Sequence, residues 1–261
     1  MHLTRRRALA GLLGGAVAAV VETSRAGPAE AAPGGAGIGL REVTPPWAPG
    51  ADLLGHSHQG RPISLYRVGN PRATRTVVVV GSLHGSEPAG IPIALGLTAM
   101  TAPPGVRLVV VPTANPDGDA LRRRQNARGV DLNRNFPGGV HRSTPGDTYY
   151  PGPRDLSEVE SRLMAGLLAE LRPAALVVYH QAMNLVDHCG GDPALTRRYA
   201  AETGMRAVRL PRYPGSMATW LHGAQPACTI LTVELPARVS ATVRSRHRTA
   251  VLRLAARVGA A

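Results

Sequence analysis

The sequence predicts an α/β fold: one domain with a twisted, mostly parallel central sheet flanked by helices. Three observations lead there. Residues 76–80, 106–111, 175–179 and 228–233 are short runs rich in β-branched and aliphatic residues, as strands buried on both faces are. Segments with helical periodicity alternate with these runs. Polar residues then follow the ends of several runs, where open α/β sheets hold their ligands.

Taken in order, residues 62–68 read as a first strand and 76–80 as a buried central one. Residues 87–100 fit a helix, and 106–111 form the next buried strand. Residues 112–155 are full of Asn, Asp, Arg, Gly and Pro without periodicity, and loops of that length inside a compact domain are usually functional. Ser157 and Glu160 make a capping box with Leu156 as its staple. Val159, Leu163, Leu167 and Leu171 then form one face of a helix that Pro173 ends. After strands at 175–179 and 228–233, a last helix starts near Val239. It turns Val239, Val243, Ala250, Leu254 and Val258 inward and leaves Arg244, Arg246, Arg248, Arg253 and Arg257 off that stripe.

Hydrophobic residues make up 44% of the 261 but aromatic ones only 3%, so the core must be built from Ala, Val and Leu, with Phe136 the sole phenylalanine. The formal charge is +13, and all 30 basic residues are arginine. They are scattered among Pro, Ala and Gly rather than gathered with aromatics into a stripe, so no nucleic-acid partner is expected.

The N-terminus has the form of a twin-arginine export signal: Thr4-Arg5-Arg6-Arg7, an apolar run over 8–21, then Ala29-Glu30-Ala31. That run is shorter than the roughly 20 residues a membrane span needs. The organisation expected is a signal peptide at 1–31, a Pro/Gly/Ala-rich linker or arm at 32–50, and the folded domain at 51–261. The released chain is expected in the cell envelope or outside the cell, without integral membrane association. Nothing in the sequence marks an oligomeric state. Cys189 and Cys228 lack the close spacing of a structural zinc site, and an oxidising compartment predicts a disulfide between them, two free thiols being the alternative.

The chemistry lies past the strand ends. Val80 runs into Gly81-Ser82-Leu83-His84-Gly85-Ser86-Glu87, Tyr179 into His180, and Val233 into Glu234. A histidine and a carboxylate three residues apart on a glycine-bearing turn, with a second histidine from a neighbouring strand, can hold one ion and leave a fourth position open. That is the donor set of a catalytic zinc site. A His and a Glu near a turn serve as well for capping or surface polarity, and a lone His180 after an apolar strand as a hydrogen-bonded core residue.

The middle loop is more specific: Asn115-Pro116-Asp117-Gly118, then Arg124-Gln125-Asn126-Ala127-Arg128-Gly129-Val130-Asp131-Leu132-Asn133-Arg134-Asn135-Phe136-Pro137. With Gly60-Arg61-Pro62-Ile63, Tyr150-Pro151-Gly152-Pro153, Leu156-Ser157-Glu158, Tyr179-His180-Gln181 and Thr232-Val233-Glu234-Leu235-Pro236, it resembles the zinc carboxypeptidase family. Within that family it looks like the short bacterial branch that includes murein peptide amidases. The likeness runs from about Gly55 to Pro236. No H-E-x-x-H is present, which argues against the thermolysin-like class.

The resemblance implies one zinc per chain on His84, Glu87 and His180, and Glu234 as the base that takes a proton from the attacking water. It implies Arg124 as the stabiliser of the tetrahedral oxyanion, with Arg122, Arg123 and Arg128 close enough to leave that alignment open. Asn133 and Arg134 would grip a terminal carboxylate, Tyr213 would close over the substrate, and Met217 would line the side-chain pocket. The implied partner is a peptide or murein peptide. A deacylase of N-acyl amino acids, a deamidase or esterase, and an inactive ligand-binding relative are the other readings.

Overall fold

A computed structural model describes residues 50–260; the leader at 1–31 and all but the last residue of the arm at 32–50 lie outside the described residues. The chain opens with β1 (Ala51–His56), β2 (Pro62–Gly69) and β3 (Arg75–Val80). A short 3-10 turn, Pro88–Gly90, leads into α1 (Ile91–Thr98) and then β4 (Val106–Val111). The expected helix over 87–100 is therefore shorter, with Pro88 and Pro92 both set in its opening turns.

The long middle segment is mostly loop. It holds α2 (Pro116–Leu121), capped by the Asn115 side chain accepting from Gly118 N, and a 3-10 turn at Leu132–Arg134. Next come α3 (Val159–Leu171), β5 (Ala175–Gln181), β6 (Leu185–Gly190), α4 (Pro193–Thr203) and β7 (Arg206–Val208). The chain closes with α5 (Met217–Ala224), β8 (Thr229–Leu235) and α6 (Ala241–Gly259).

The eight strands form one mixed sheet in the order β1-β2-β4-β3-β5-β8-β6-β7. Its centre, β4-β3-β5-β8, is parallel throughout, while β1-β2, β2-β4 and β6-β8 pair antiparallel. Alternation along the strands splits the core between the two faces. Val77 and Val79 pack with Ile93, Tyr199, Val251 and Leu254 beneath α1, α4 and α6. Val78 and Val80 pack with Phe136, Met164, Leu168 and Leu221 beneath α3 and α5. Because β3, β5 and β8 run the same way, their carboxyl ends open on one edge.

Three local expectations change. The capping box does not form: Glu158, with no side-chain cap bond, stands at the N-cap of α3. Glu160 is instead buried, accepting from His58 N at 3.0 Å and Asn126 Nδ2 at 3.3 Å, so long-range contacts outbid the local cap. The buried face of α3 is accordingly Glu160, Ser161, Met164, Ala165, Leu167 and Leu168. The last helix begins two residues later than expected, with Ser240 as its cap, and buries His247 and Val251 beside Ala250, Leu254 and Val258.

The disulfide is also absent; Cys189 and Cys228 are both free and buried. The strand register explains it. Cys189 Sγ lies 3.2 Å from Thr232 Oγ1. Thr232 is four residues along from Cys228, roughly 13 Å at the rise of an extended strand. Cys228 stands just before the start of β8 while Cys189 packs against its middle, so the two thiols are out of reach of each other.

In the core under α4 and α6, Tyr179 and Tyr199 hydroxyls lie 2.8 Å apart, and Tyr199 Oη is 2.9 Å from His247 Nδ1. Burial, and then the charge of Arg246, push His247 down to about 4 from the usual 6.5. Between those values the unfolded chain binds a proton that the folded one does not, so stability is fully present above about 6.5 and falls as pH drops towards 4. The shift corresponds to roughly 3 kcal/mol. Urea unfolding at pH 7 and pH 4.5 is expected to show a larger acid loss for the wild type than for His247→Gln. Equal losses would contradict this.

Candidate metal centre and active site

The turn after β3 is shaped by close backbone packing. A Cβ on Gly85 would come within 1.8 Å of the Gly118 carbonyl carbon, so that position must be glycine for the turn to lie against α2. Asn115 Nδ2 donates to Leu83 O at 3.2 Å, and Glu87 N to His84 O at 2.9 Å, which curls His84 and Glu87 to one side. His180 is the second-last residue of β5, and its register partner on β8 is Glu234, so both project on the same face of the sheet.

His84, Glu87 and His180 converge among the described residues as a set of possible metal ligands. Glu87 Oε2 lies 2.8 Å from His84 Nδ1 and 2.9 Å from His180 Nδ1, and the two ring nitrogens are 3.2 Å apart. All three residues are buried. Two imidazole nitrogens and one carboxylate oxygen aimed at a common point fit a catalytic zinc, with a side left open towards the cavity. Burial alone would raise Glu87, but hydrogen bonds from His180 and His84 hold it well below the usual carboxylate range. Burial, joined by repulsion from His84 and Arg124, pushes His180 down, which keeps its ring neutral as a ligand must be.

The far nitrogen of His84, Nε2, lies 3.2 Å from Asp131 Oδ1. This carboxylate fixes the ring's orientation and leaves Nδ1 for the metal. Asp131 is fully buried, accepts from Asn133 N at 2.9 Å and from Arg124 Nε at 2.9 Å, and joins ligand, arginine and 3-10 turn. Burial would raise it, yet His84, Arg124 and Arg134 bring it down to about 2. Asp131 carries no functional expectation from the sequence alone. Its signal was the position two residues before Asn133, in a loop where a short acidic side chain can cap a turn.

A cavity of about 550 Å³ opens over these groups, lined by His84, Glu87, His180 and Glu234 together with Arg124, Asn133, Arg134, Tyr213 and Met217. Of the four arginines that the alignment left open, Arg124 alone lines it; its Nη1 lies 3.3 Å from Glu87 Oε1, while Arg128 pairs with Glu158. Burial and the nearby Glu87 carboxylate push Glu234 up to about 7, and Glu234 Oε2 has no hydrogen-bond partner. A bound divalent cation would draw that value down again.

The 133–136 loop and the segment before α5 are tied together. Asn133 Oδ1 accepts from Met217 N at 3.0 Å and Gly215 O from Phe136 N at 2.9 Å. Arg134 donates from Nη1 to Asn133 O at 2.7 Å, and the ion pairs formed by arginines among the described residues do not include it. Tyr213 lies with its ring centre 4.9 Å from the Arg134 guanidinium carbon. The lining also includes a buried Asp187, which accepts from Arg212 Nη2 at 3.2 Å and from Leu210 N at 2.8 Å.

The model of the Peptidase_M14 family, zinc carboxypeptidase, matches residues 51–200. The chain belongs to the zinc carboxypeptidase family. It is 29% identical over 211 residues to murein peptide amidase A of Escherichia coli (strain K12), spanning 72% of this chain and 82% of that protein. It is 32% identical over 202 residues to murein peptide amidase A of Vibrio campbellii, spanning 70% and 77%. Among solved structures, the murein-tripeptide amidase of Escherichia coli O157 superposes with a TM-score of 0.63 at 23% identity, over 80% of this chain and 92% of that one. Membership makes this zinc carboxypeptidase-like chain a hydrolytic metallopeptidase of a zinc-dependent family, and the observed mixed sheet is of the carboxypeptidase-like class.

Proposed function

We propose that this chain is an exported murein-peptide amidase or carboxypeptidase that uses one zinc to hydrolyse an amide bond next to a free carboxylate. The observation that supports it most directly is Arg134, a guanidinium without a carboxylate partner in the same cavity as the ligand set. The relatives' names point to murein peptides, and the Arg5-Arg6-Arg7 leader, outside the described residues, would take the enzyme to where such peptides are.

His84, Glu87 and His180 would hold the zinc, which supplies a Lewis acid that acidifies water and polarises a carbonyl. Glu234 takes the proton of the attacking water and returns it to the leaving amine. Arg124, oriented by Asp131, faces the oxygen on which charge develops, an interaction absent from the ground state. Asn133 and Arg134 hold the carboxylate in register, a task suited to a planar fork. Tyr213 closes over the bound end and Met217 lines the side-chain pocket. The cavity lining also offers a paired Asp187 and Arg212, one charge of each sign. A side chain ending in both an ammonium and a carboxylate, such as that of diaminopimelate, complements it.

The test uses murein stem peptides, C-terminal peptide libraries and N-acyl amino acids, each as free acid and as terminal amide. Arg134→Ala is expected to lower kcat/KM on the free acid by a factor on the order of 100 to 1000. Zinc content should stay the same. Amidation of the substrate should cost the wild type a similar factor and cost the variant little more, because both changes remove one contact. Equal wild-type cleavage of acid and amide would overturn the carboxylate reading. Preferred turnover of N-acyl amino acids would favour a deacylase.

A further inference from the structure

We propose that Tyr149 is a positioning residue, whose ring restrains the guanidinium that receives the substrate's carboxylate. The inference rests on the reading of Arg134 given above. Tyr149 lines the cavity with 57% of its surface exposed, so burial does not account for its place. Its ring centre lies 5.5 Å from the Arg134 guanidinium carbon and 5.0 Å from that of Arg124. With Tyr213 also against it, Arg134 rests on two aromatic rings.

The exposed ring is not on a slack loop. The carbonyl before it, Thr148 O, accepts from Gln125 Nε2 at 2.9 Å, and its neighbour Tyr150 O accepts from Asp131 N at 2.8 Å. Tyr150 N in turn donates to Asp147 O at 3.1 Å. The chain is thus bonded to the loop that bears the two arginines at Thr148, just before Tyr149, and at Tyr150, just after it.

The two guanidiniums do not depend on the ring equally. Arg124 is held by charged bonds to Asp131 and Glu87, whereas Arg134 has a single bond to the adjacent Asn133 carbonyl. A ring face attracts a cation electrostatically without competing for its N–H donors, which remain free for an incoming carboxylate. Losing Tyr149 should therefore loosen Arg134 and leave Arg124 in place. Carboxylate binding would suffer, and the chemical step would not.

The zinc-loaded enzyme and its Tyr149→Phe and Tyr149→Leu variants would be compared on an N-acylated peptide and its C-terminal amide. Tyr149→Leu is expected to raise KM on the free acid about fivefold to tenfold with kcat within about twofold, and Tyr149→Phe to stay within about twofold throughout. Neither should change kcat/KM on the amide. In an Arg134→Ala background Tyr149→Leu should add nothing. Calorimetry of the same two peptides on a Glu234→Gln background reads the carboxylate affinity without turnover, and should fall by the same factor.

An unchanged KM and affinity in Tyr149→Leu, an equal loss in Tyr149→Phe, or an equal loss on the amide would each overturn the inference. A wild type that binds acid and amide alike refutes the carboxylate reading and Tyr149's part in it together. A wild type that discriminates, with Tyr149→Leu discriminating by an undiminished factor, refutes only the latter.

Discussion

Glu234→Gln is expected to keep its zinc and its fold while kcat falls by a factor on the order of 1000. Glutamine has nearly the same shape, and the β8 register that sets residue 234 opposite His180 is a backbone property that the change leaves alone. The ligands His84, Glu87 and His180 are untouched. What is lost is an oxygen able to accept a proton. Glu234 Oε2 is buried without a partner, so no neighbouring donor is already using the lone pairs that the reaction needs. The check is single-turnover kinetics beside metal analysis and a thermal midpoint. Wild-type turnover in this variant would require another base, and loss of zinc would mean that Glu234 belongs to the ligand set.

His180→Ala and His84→Ala are expected to leave the protein without bound zinc after desalting, and without measurable turnover. Each removes one of three donors that now lie within 3.2 Å of one another. Two ligands and solvent do not make the closed half of a catalytic site. Asp131→Asn provides a graded comparison. Its amide would still face His84 Nε2 but could no longer act as a charged acceptor, and zinc affinity should fall about 10- to 100-fold. Competitive chelator titration separates the three. Full zinc occupancy in either histidine variant would defeat the ligand assignment, and an unchanged affinity in Asp131→Asn would reduce that residue to capping its turn.

The parts of the fold that were legible are those in which one local pattern meets one environment. The runs of valine in β3 and β4 are buried on both faces and could hardly be anything else. The chain from β6 to α5 was far less legible. Leu185–Gly190 contains Asp187 and His188, which look like loop residues until Arg212 and Leu210 N engage the first and Thr196 Oγ1 the second. Those partners come from later elements, which no local pattern announces. For α4 a signal did exist, in Asp192-Pro193 at its start and Gly204 past its end, the cap, first-turn proline and left-handed terminus of an ordinary helix. The ligand set was visible because each member stands at a strand end. Asp131 and Tyr149 matter through where a loop without periodicity places them, and that is decided by the hydrogen bonds of the folded loop.

The two unbonded cysteines bear on where this protein can mature. Burial pushes Cys189 up to about 11 and Cys228 up to about 12, so neither is a ready thiolate, and neither is placed to reach the other. Completing this fold therefore calls for no oxidant, no disulfide isomerase and no particular redox poise. On the export reading proposed above, the domain would reach its final form in a reducing interior and meet an oxidising exterior without any covalent rearrangement.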